Sequence, residues 1–234
     1  MKIIQAEGVS YYYQTKYQKI EALKDITCFF ETGKMYAIVG ESGSGKSTFL
    51  SLLAGLDLPT FGSITIDGKE IRTINRDHYR RDLVAVVYQA FHLFPLLTAL
   101  ENVMFPMTLK GMPVKQARSR SKELIKKVGL GEKTEEQFPQ MMSGGEQQRV
   151  AIARAMASDG KILLADEPTG NLDTKNEENV VSLLKKMAHE EQYAVIVVTH
   201  NPGVAREADV ILWMQDGSMI EIRENDEKQM RLRR

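Results

Sequence analysis

The chain reads as α/β: a mostly parallel sheet flanked by helices, with an antiparallel β subdomain at the N-terminus and an α-helical subdomain inserted in the middle. Three observations predict this. Between Ile38 and Leu56 a strand, a glycine-rich loop and a helix follow one another directly. From about residue 89 to 157 the pattern is helical, with no strand signal. Strand–helix alternation then resumes.

The opening "MKIIQAEGVSYYY" has one Lys and a very short apolar run before it turns polar, which predicts an edge strand and not a signal peptide. Strands follow in "ITCFFE", "KMYAIVG" and "SITIDG", the last closed by an Asp-Gly turn. The helix "KSTFLSLLAGL" sets Phe49, Leu50, Leu52, Leu53 and Leu56 on an apolar stripe and stops near Gly55. In the helical block, Thr98-x-x-Glu101 is a capping box, and Gly111-Met112-Pro113 breaks the helix it opens. The next helix ends on Lys126, Lys127 and Gly129, and another begins after Ser143. Beyond it come "KILLA", a helix with Val180, Leu183, Leu184 and Met187 on one face, "AVIVV", a short helix, and a hairpin around Asp216-Gly217. Residues 1–224 therefore form one domain with a helical subdomain at about 90–157, and residues 225–234 form a charged, solvated, mobile tail.

Composition narrows the function. The 234 residues carry 31 basic and 31 acidic side chains, so no global field draws the chain to nucleic acid or anionic lipid. Cys28 is the single cysteine, which excludes an intramolecular disulfide and suits a reducing compartment; its ordinary role is a small buried hydrophobe. The longest apolar runs are strand-sized, far below the roughly 20 residues that span a bilayer. A membrane role must come through a partner.

Residues 40–48, "GESGSGKST", fit the P-loop pattern between an apolar strand and a helix, so the core is that of a P-loop NTPase. Gly43 and Gly45 let the backbone wrap a β-phosphate, Lys46 neutralises β- and γ-phosphate oxygens, and the Ser47 hydroxyl ligates Mg²⁺. Asp166 and Glu167 end the strand "KILLA", where open α/β sheets bind ligands. Asp-Glu after a strand is weak alone, because strand ends are often acidic. Beside a P-loop, Asp166 suits a water-bridged Mg²⁺ and Glu167 suits a base for the attacking water. Gln89 ends "LVAVVY" and His200 ends "AVIVVT"; they could reach the metal with its water, and the γ-phosphate. A second glycine turn, Ser143-Gly144-Gly145, opens a helix whose dipole would face a phosphate, and Ser143-x-x-Glu146 is itself a capping box.

This set, in this order and spacing, resembles the nucleotide-binding subunit of ABC transporters over almost the whole chain. The parts are the P-loop (Gly40, Glu41, Ser42, Gly43, Ser44, Gly45, Lys46, Ser47, Thr48), the Q-loop Gln89, the signature Ser143-Gly144-Gly145, Walker B ending at Asp166 with Glu167, the D-loop Asn171-Leu172-Asp173, and the H-loop His200. The resemblance implies an ATPase using Mg²⁺, with Glu167, His200, Gln89 and Lys46 catalytic and Ser47, Gln89 and Asp166 at the metal. It also implies head-to-tail pairing of two copies, so that Ser143, Gly144, Gly145, Glu146 and Asp173 serve the ATP held by the other chain. Met142 and Glu146 depart from the usual Leu-Ser-Gly-Gly-Gln. The family stacks adenine on an N-terminal aromatic residue, and its spacing selects Tyr13; strand alternation puts Tyr11 on the same face and keeps it as an alternative.

"ADEPTGNLD" and "LTALENVMFPM" look like one branch: macrolide-exporter, lipoprotein-release, peptide-resistance and cell-division ATPases. That likeness implies a membrane permease partner with a large extracytoplasmic domain, and a position on the inner face of the cell membrane. Phe91, Leu93, Phe94, Pro95 and Leu96 either form the permease groove or belong to the subdomain core; periodicity does not decide. A recruitment switch without transport, as in the cell-division members, is the alternative function. Nucleic-acid work is disfavoured by the single cassette, the single cysteine and the zero net charge.

Overall fold

The computed structural model describes residues 2–14 and 16–225; the tail expected at 225–234 lies outside the described residues except for Asn225. The elements are β1 (Lys2–Gln14), β2 (Lys19–Glu31), β3 (Lys34–Val39), α1 (Lys46–Leu53), β4 (Phe61–Ile66), β5 (Lys69–Glu70), α2 (Arg76–Asp82) and β6 (Val84–Tyr88). Then come α3 (Ala99–Leu109), α4 (Val114–Lys127), α5 (Glu132–Glu135), a 3-10 turn at Pro139–Met141, and α6 (Gly144–Met156). The chain continues through β7 (Ile162–Asp166), α7 (Thr174–His189), β8 (Ala194–Val198), α8 (Pro202–Glu207), β9 (Val210–Gln215) and β10 (Ser218–Glu224).

Two sheets form, as expected for the α/β class. The N-terminal sheet is antiparallel in the order β2-β1-β4-β5. The larger sheet runs β10-β9-β3-β8-β7-β6, parallel except for the β9–β10 hairpin. All five residues of β8 are buried, the continuous apolar run of a strand covered on both faces. Val195 and Val197 join the core under the helical elements, and Ile196 and Val198 join the core shared with α1 and the N-terminal sheet. These two cores hold the carboxyl ends of β3, β7 and β8 in one row.

Several expectations are corrected. The first strand is not an edge: Ala6 pairs with Cys28 on β2 and with Ile64 on β4, so β1 is bonded on both sides. Leu56 does not belong to the apolar stripe. The chain leaves the helix at Leu53, reverses at Gly55 (φ 67°), and exposes Leu56 by 47%. A short helix, α2, forms where none was expected, its start capped by Asn75 accepting from the N–H groups of Asp77 and His78. The middle block is not helical from residue 89. Residues 89–98 form a loop with Phe91 and His92 in the left-handed region, and the first helix starts at Ala99.

Buried Asn102 explains that loop. Its amide donates to the carbonyls of Phe94, Leu97 and Thr98, and its Oδ1 accepts from the Phe94 N–H at 2.8 Å. These bonds satisfy backbone groups that a helix would otherwise have paired. Among the described residues, no helix is long and apolar enough to cross a membrane.

Candidate functional site

A cleft of about 940 Å³ opens at the carboxyl ends of β3, β7 and β8. Its floor is the 40–48 loop, and Asp166, Glu167, His200 and Tyr13 contribute to its walls. Gly45 is forced at the loop's exit. It sits at φ 96°, and a Cβ there would lie 2.6 Å from the Ala22 carbonyl oxygen. It is also the N-cap of α1, with no side-chain hydrogen bond to the first turn and no acidic residue in it. The first N–H groups of α1 thus lack a side-chain acceptor, the condition under which a helix start takes an anion.

Lys46 is buried, and its ammonium donates to the carbonyls of Gly40 at 2.9 Å and Glu41 at 2.7 Å. The charge is held at the centre of the loop. Ser47 Oγ donates to Asp166 Oδ1 at 3.3 Å, joining the α1 start to the β7 end. Burial raises the Asp166 carboxyl above its ordinary range, the Glu167 charge adds to this, and the Ser47 bond and Lys46 oppose it. A hydroxyl and a carboxylate at the rim of a phosphate-sized cleft fit Mg²⁺, which favours hard oxygen ligands and keeps several waters and phosphate oxygens. Such an ion would also compensate a carboxylate that burial disfavours.

Glu167 sits at φ 47°, a left-handed conformation that costs a side-chain-bearing residue about 1–3 kcal/mol. Its N–H donates to the Val198 carbonyl at 3.0 Å, which turns the chain off the strand beside β8. The carboxylate then meets His200: Nδ1 lies 2.7 Å from Oε1, and the His200 N–H donates to Oε2 at 3.4 Å. The histidine side chain is 73% exposed and the glutamate 18%. An acid held by an imidazole at a cleft wall can accept a proton from water in the cleft.

Tyr13 stands at the cleft mouth, 45% exposed, with its hydroxyl 3.1 Å from Thr48 Oγ1. Tyr11 shares its face, edge-on at 5.0 Å, but packs inward against the core. Tyr12 points the other way and donates to Glu21 at 2.6 Å. Of the three, only Tyr13 offers a ring to the cleft.

The remaining expected residues are elsewhere. Ser143, Gly144, Gly145, Glu146, Asp173 and Gln89 do not line the cleft. Ser143 caps α6, with the Ser143 N–H and Oγ each donating to Glu146 Oε2 at 2.8 Å and the Glu146 N–H donating to Ser143 Oγ at 3.3 Å. Asp173 caps α7, accepting from the Asn176 N–H at 2.9 Å and from its amide at 2.7 Å, bonds that hold its carboxyl below the ordinary range. The two helix starts touch: a Cβ on Gly145 would fall 2.2 Å from Asn176 Oδ1. Gln89 donates to Asn171 Oδ1 at 3.2 Å, and Asn171 returns a bond to the Gln89 carbonyl at 3.3 Å. So six predicted residues form a second surface group, on which Ser143 presents a glycine helix start and Asn171 anchors Gln89.

Two participants were missed. Asn171 was legible only as part of a loop motif, and its partner is 82 residues away. Gly217 was legible only as a turn, yet it lines the cleft and its N–H donates to the Ser44 carbonyl at 3.2 Å. Only the fold brings these together. The apolar segment after Gln89 divides. Leu93 packs against the core, whereas Phe94 (40% exposed) and Leu96 (86% exposed) face outward. Phe94 packs against Phe105 with the rings tilted and their centroids 4.6 Å apart and, with Leu109 and Leu56, lines a groove of about 380 Å³.

The ABC transporter family matches residues 23–170. The macrolide export ATP-binding/permease protein MacB of Aggregatibacter actinomycetemcomitans is 42% identical over 223 residues, 94% of this chain and 34% of that protein. The lipoprotein-releasing system ATP-binding protein LolD 2 of Rhodopirellula baltica is 40% identical over 224 residues, covering 92% of this chain and 88% of that one. Among solved structures, the dimeric post-hydrolysis state of the ATP-binding cassette MJ0796 of Methanocaldococcus jannaschii, bound to ADP and Pi, superimposes with a TM-score of 0.88. It is 39% identical, with 95% of this chain and 99% of that chain covered.

Proposed function

The chain belongs to the ABC transporter family as an ATP-hydrolysing cassette, and from that premise we propose that two copies close around two ATP and thereby move a membrane permease. The observation that carries this reading is the split of the site. One glycine-flanked helix start floors the cleft, and a second, at Ser143, stands outside it on the surface. The second start becomes useful to a phosphate when another copy presents one.

In the closed pair, Lys46 and the loop N–H groups hold the β- and γ-phosphates, and Tyr13 stacks on adenine. Glu41, Ser42, Ser44 and Thr48 complete the cradle. Glu167 accepts the proton of the attacking water, held in position by His200. Ser47 and Asp166 would hold Mg²⁺, which supplies charge neutralisation at the β- and γ-phosphate oxygens. Gln89, held by Asn171 in the lone chain, would contribute its amide to the metal and the water. Ser143, Gly144 and Gly145, with Glu146 beside them and Asp173 behind, approach the γ-phosphate of the opposite copy.

The permease sits in the groove of Phe94, Phe105 and Leu109, whose aromatic lining suits the apolar face of a helix. The likeness to macrolide-export and lipoprotein-releasing cassettes supports a permease with a large extracytoplasmic domain, and a cassette peripheral on the inner face of the membrane. Glu167→Gln should keep ATP binding, trap the pair and abolish turnover. Sedimentation with ATP tests this: a variant that hydrolyses at near-normal rate removes Glu167 from its role. Capture of tagged protein from gently solubilised host membranes tests the partner. Recovery of such a permease supports transport; soluble partners alone would leave an ATP-dependent recruitment switch.

A further inference from the structure

The Ser143 hydroxyl has one proton, and Glu146 takes it: Oγ lies 2.8 Å from Oε2, and the same oxygen accepts the Ser143 N–H at 2.8 Å. The remaining bond, from the Glu146 N–H at 3.3 Å, uses Ser143 Oγ as acceptor. A phosphate oxygen needs a donor, and none is left on this hydroxyl. Any phosphate that reached Ser143 Oγ would also meet a carboxylate within one hydrogen bond of it. The Ser143 bonds hold the Glu146 carboxyl below its ordinary range, so it stays ionised at neutral pH.

We infer that Glu146 is a positioning residue that gates pairing: its carboxylate occupies the Ser143 hydroxyl in the lone subunit and must give it up before the partner's γ-phosphate can take its place. This rests on the ATP-bridged pair proposed above and adds to it a threshold. The carboxylate keeps the helix start formed and raises the ATP concentration at which two copies close. Gln at 146 has nearly the same shape. It retains an oxygen for the Ser143 N–H but removes the charge, and its amide can donate toward a phosphate. The other charged groups facing Glu146, Arg149 and Lys133, are cationic and remain in the variant.

The experiment uses the full chain carrying Glu167→Gln, with Mg²⁺-ATP titrated and the paired fraction read by sedimentation. Adding Glu146→Gln should lower the half-pairing ATP concentration by about tenfold, since like-charge juxtaposition in an interface costs at least that much. Added salt should strengthen pairing with Glu146 present and have less effect with Gln, because only the former carries the repulsion. The melting temperature of the lone subunit should stay level or fall. Tighter pairing without any gain in stability is a result that loss of a merely structural cap would not produce. The same change at the other box, Glu101→Gln, should leave pairing unaltered. Half-pairing at the same or a higher ATP concentration in Glu146→Gln overturns the inference and leaves the pair intact. If the Glu167→Gln parent stays monomeric at saturating ATP, the pairing reading falls and takes the gate with it.

Discussion

The starts of α1 and α6 are both glycine-flanked turns, yet they are finished in opposite ways. At α1 the cap is Gly45, in a left-handed conformation, with no side chain bonded to the first turn. At α6 the cap is Ser143, and Glu146 closes a complete box over it. An uncapped start costs stability until a ligand arrives, and it binds that ligand without displacing anything. A capped start is stable alone, and a ligand must compete for it. Under the pairing proposed above, the difference amounts to a division of labour: α1 would hold nucleotide in a single copy, and α6 would wait for a second.

The first way to break this comparison is to put a side chain in each turn. Gly45→Ala faces both a positive φ and the Ala22 carbonyl at 2.6 Å. It should destabilise the chain by about 2–4 kcal/mol and abolish nucleotide binding, read by urea unfolding and by titration with a fluorescent ATP analogue. Gly145→Ala has no positive φ to overcome and meets the Asn176 side chain, at 2.2 Å from Oδ1 and 2.4 Å from Cγ. It should cost about 1–2 kcal/mol and leave single-copy nucleotide binding intact. If both variants lose binding alike, the two turns are not separable.

Smaller effects come from the boxes themselves. Thr98 and Glu101 repeat the geometry of Ser143 and Glu146, with Thr98 N–H to Glu101 Oε2 at 2.8 Å and the return bond at 3.3 Å. Thr98→Ala and Ser143→Ala should each cost about 1 kcal/mol in thermal unfolding. Only Ser143→Ala should weaken ATP-driven pairing. For Glu146, whose carboxyl is depressed in the folded chain, the contribution to stability is complete above the unfolded pKa of about 4.3 and is lost as pH falls through the lower folded value. The stability gap between the parent and Glu146→Ala should therefore close in acid.

The smallest effect has the opposite sign. Asp166 is raised chiefly by burial, so ionising it weakens the folded state as pH rises through its folded pKa. Asp166→Asn should raise the melting temperature of the lone chain at pH 7 by a few degrees while removing Mg²⁺-dependent hydrolysis. A lower melting temperature would show that the Ser47 bond outweighs the burial penalty.

Local features were legible in the sequence. The P-loop is contiguous, the two capping boxes are visible as a hydroxyl and a carboxylate three residues apart, and the buried strands β7 and β8 announce themselves as apolar runs. What failed depended on distant partners. Nothing in residues 2–14 shows that a strand will bond on both sides. The loop at 89–98 follows from one buried amide, Asn102, whose residue type gives no hint of four backbone bonds. The bond from Gln89 to Asn171 likewise depends on a partner that no local pattern reveals. Composition could not tell Leu93 from Leu96, although one packs against the core and the other faces outward.

The hairpin turn at Gly217 carries a consequence for biosynthesis. Gly217 accepts from the Lys24 N–H at 2.8 Å and donates to the Ser44 carbonyl at 3.2 Å, so three segments from opposite ends of the chain meet behind the phosphate loop. A ribosome delivers the first two long before the third. Contacts of such wide sequence separation form late, because the intervening loop must be closed first. A nascent chain that has emerged only as far as α7 already carries every residue of the P-loop without the brace that shapes it. The bond that braces the phosphate loop at Ser44 is therefore made only once β9 and β10 have emerged and paired.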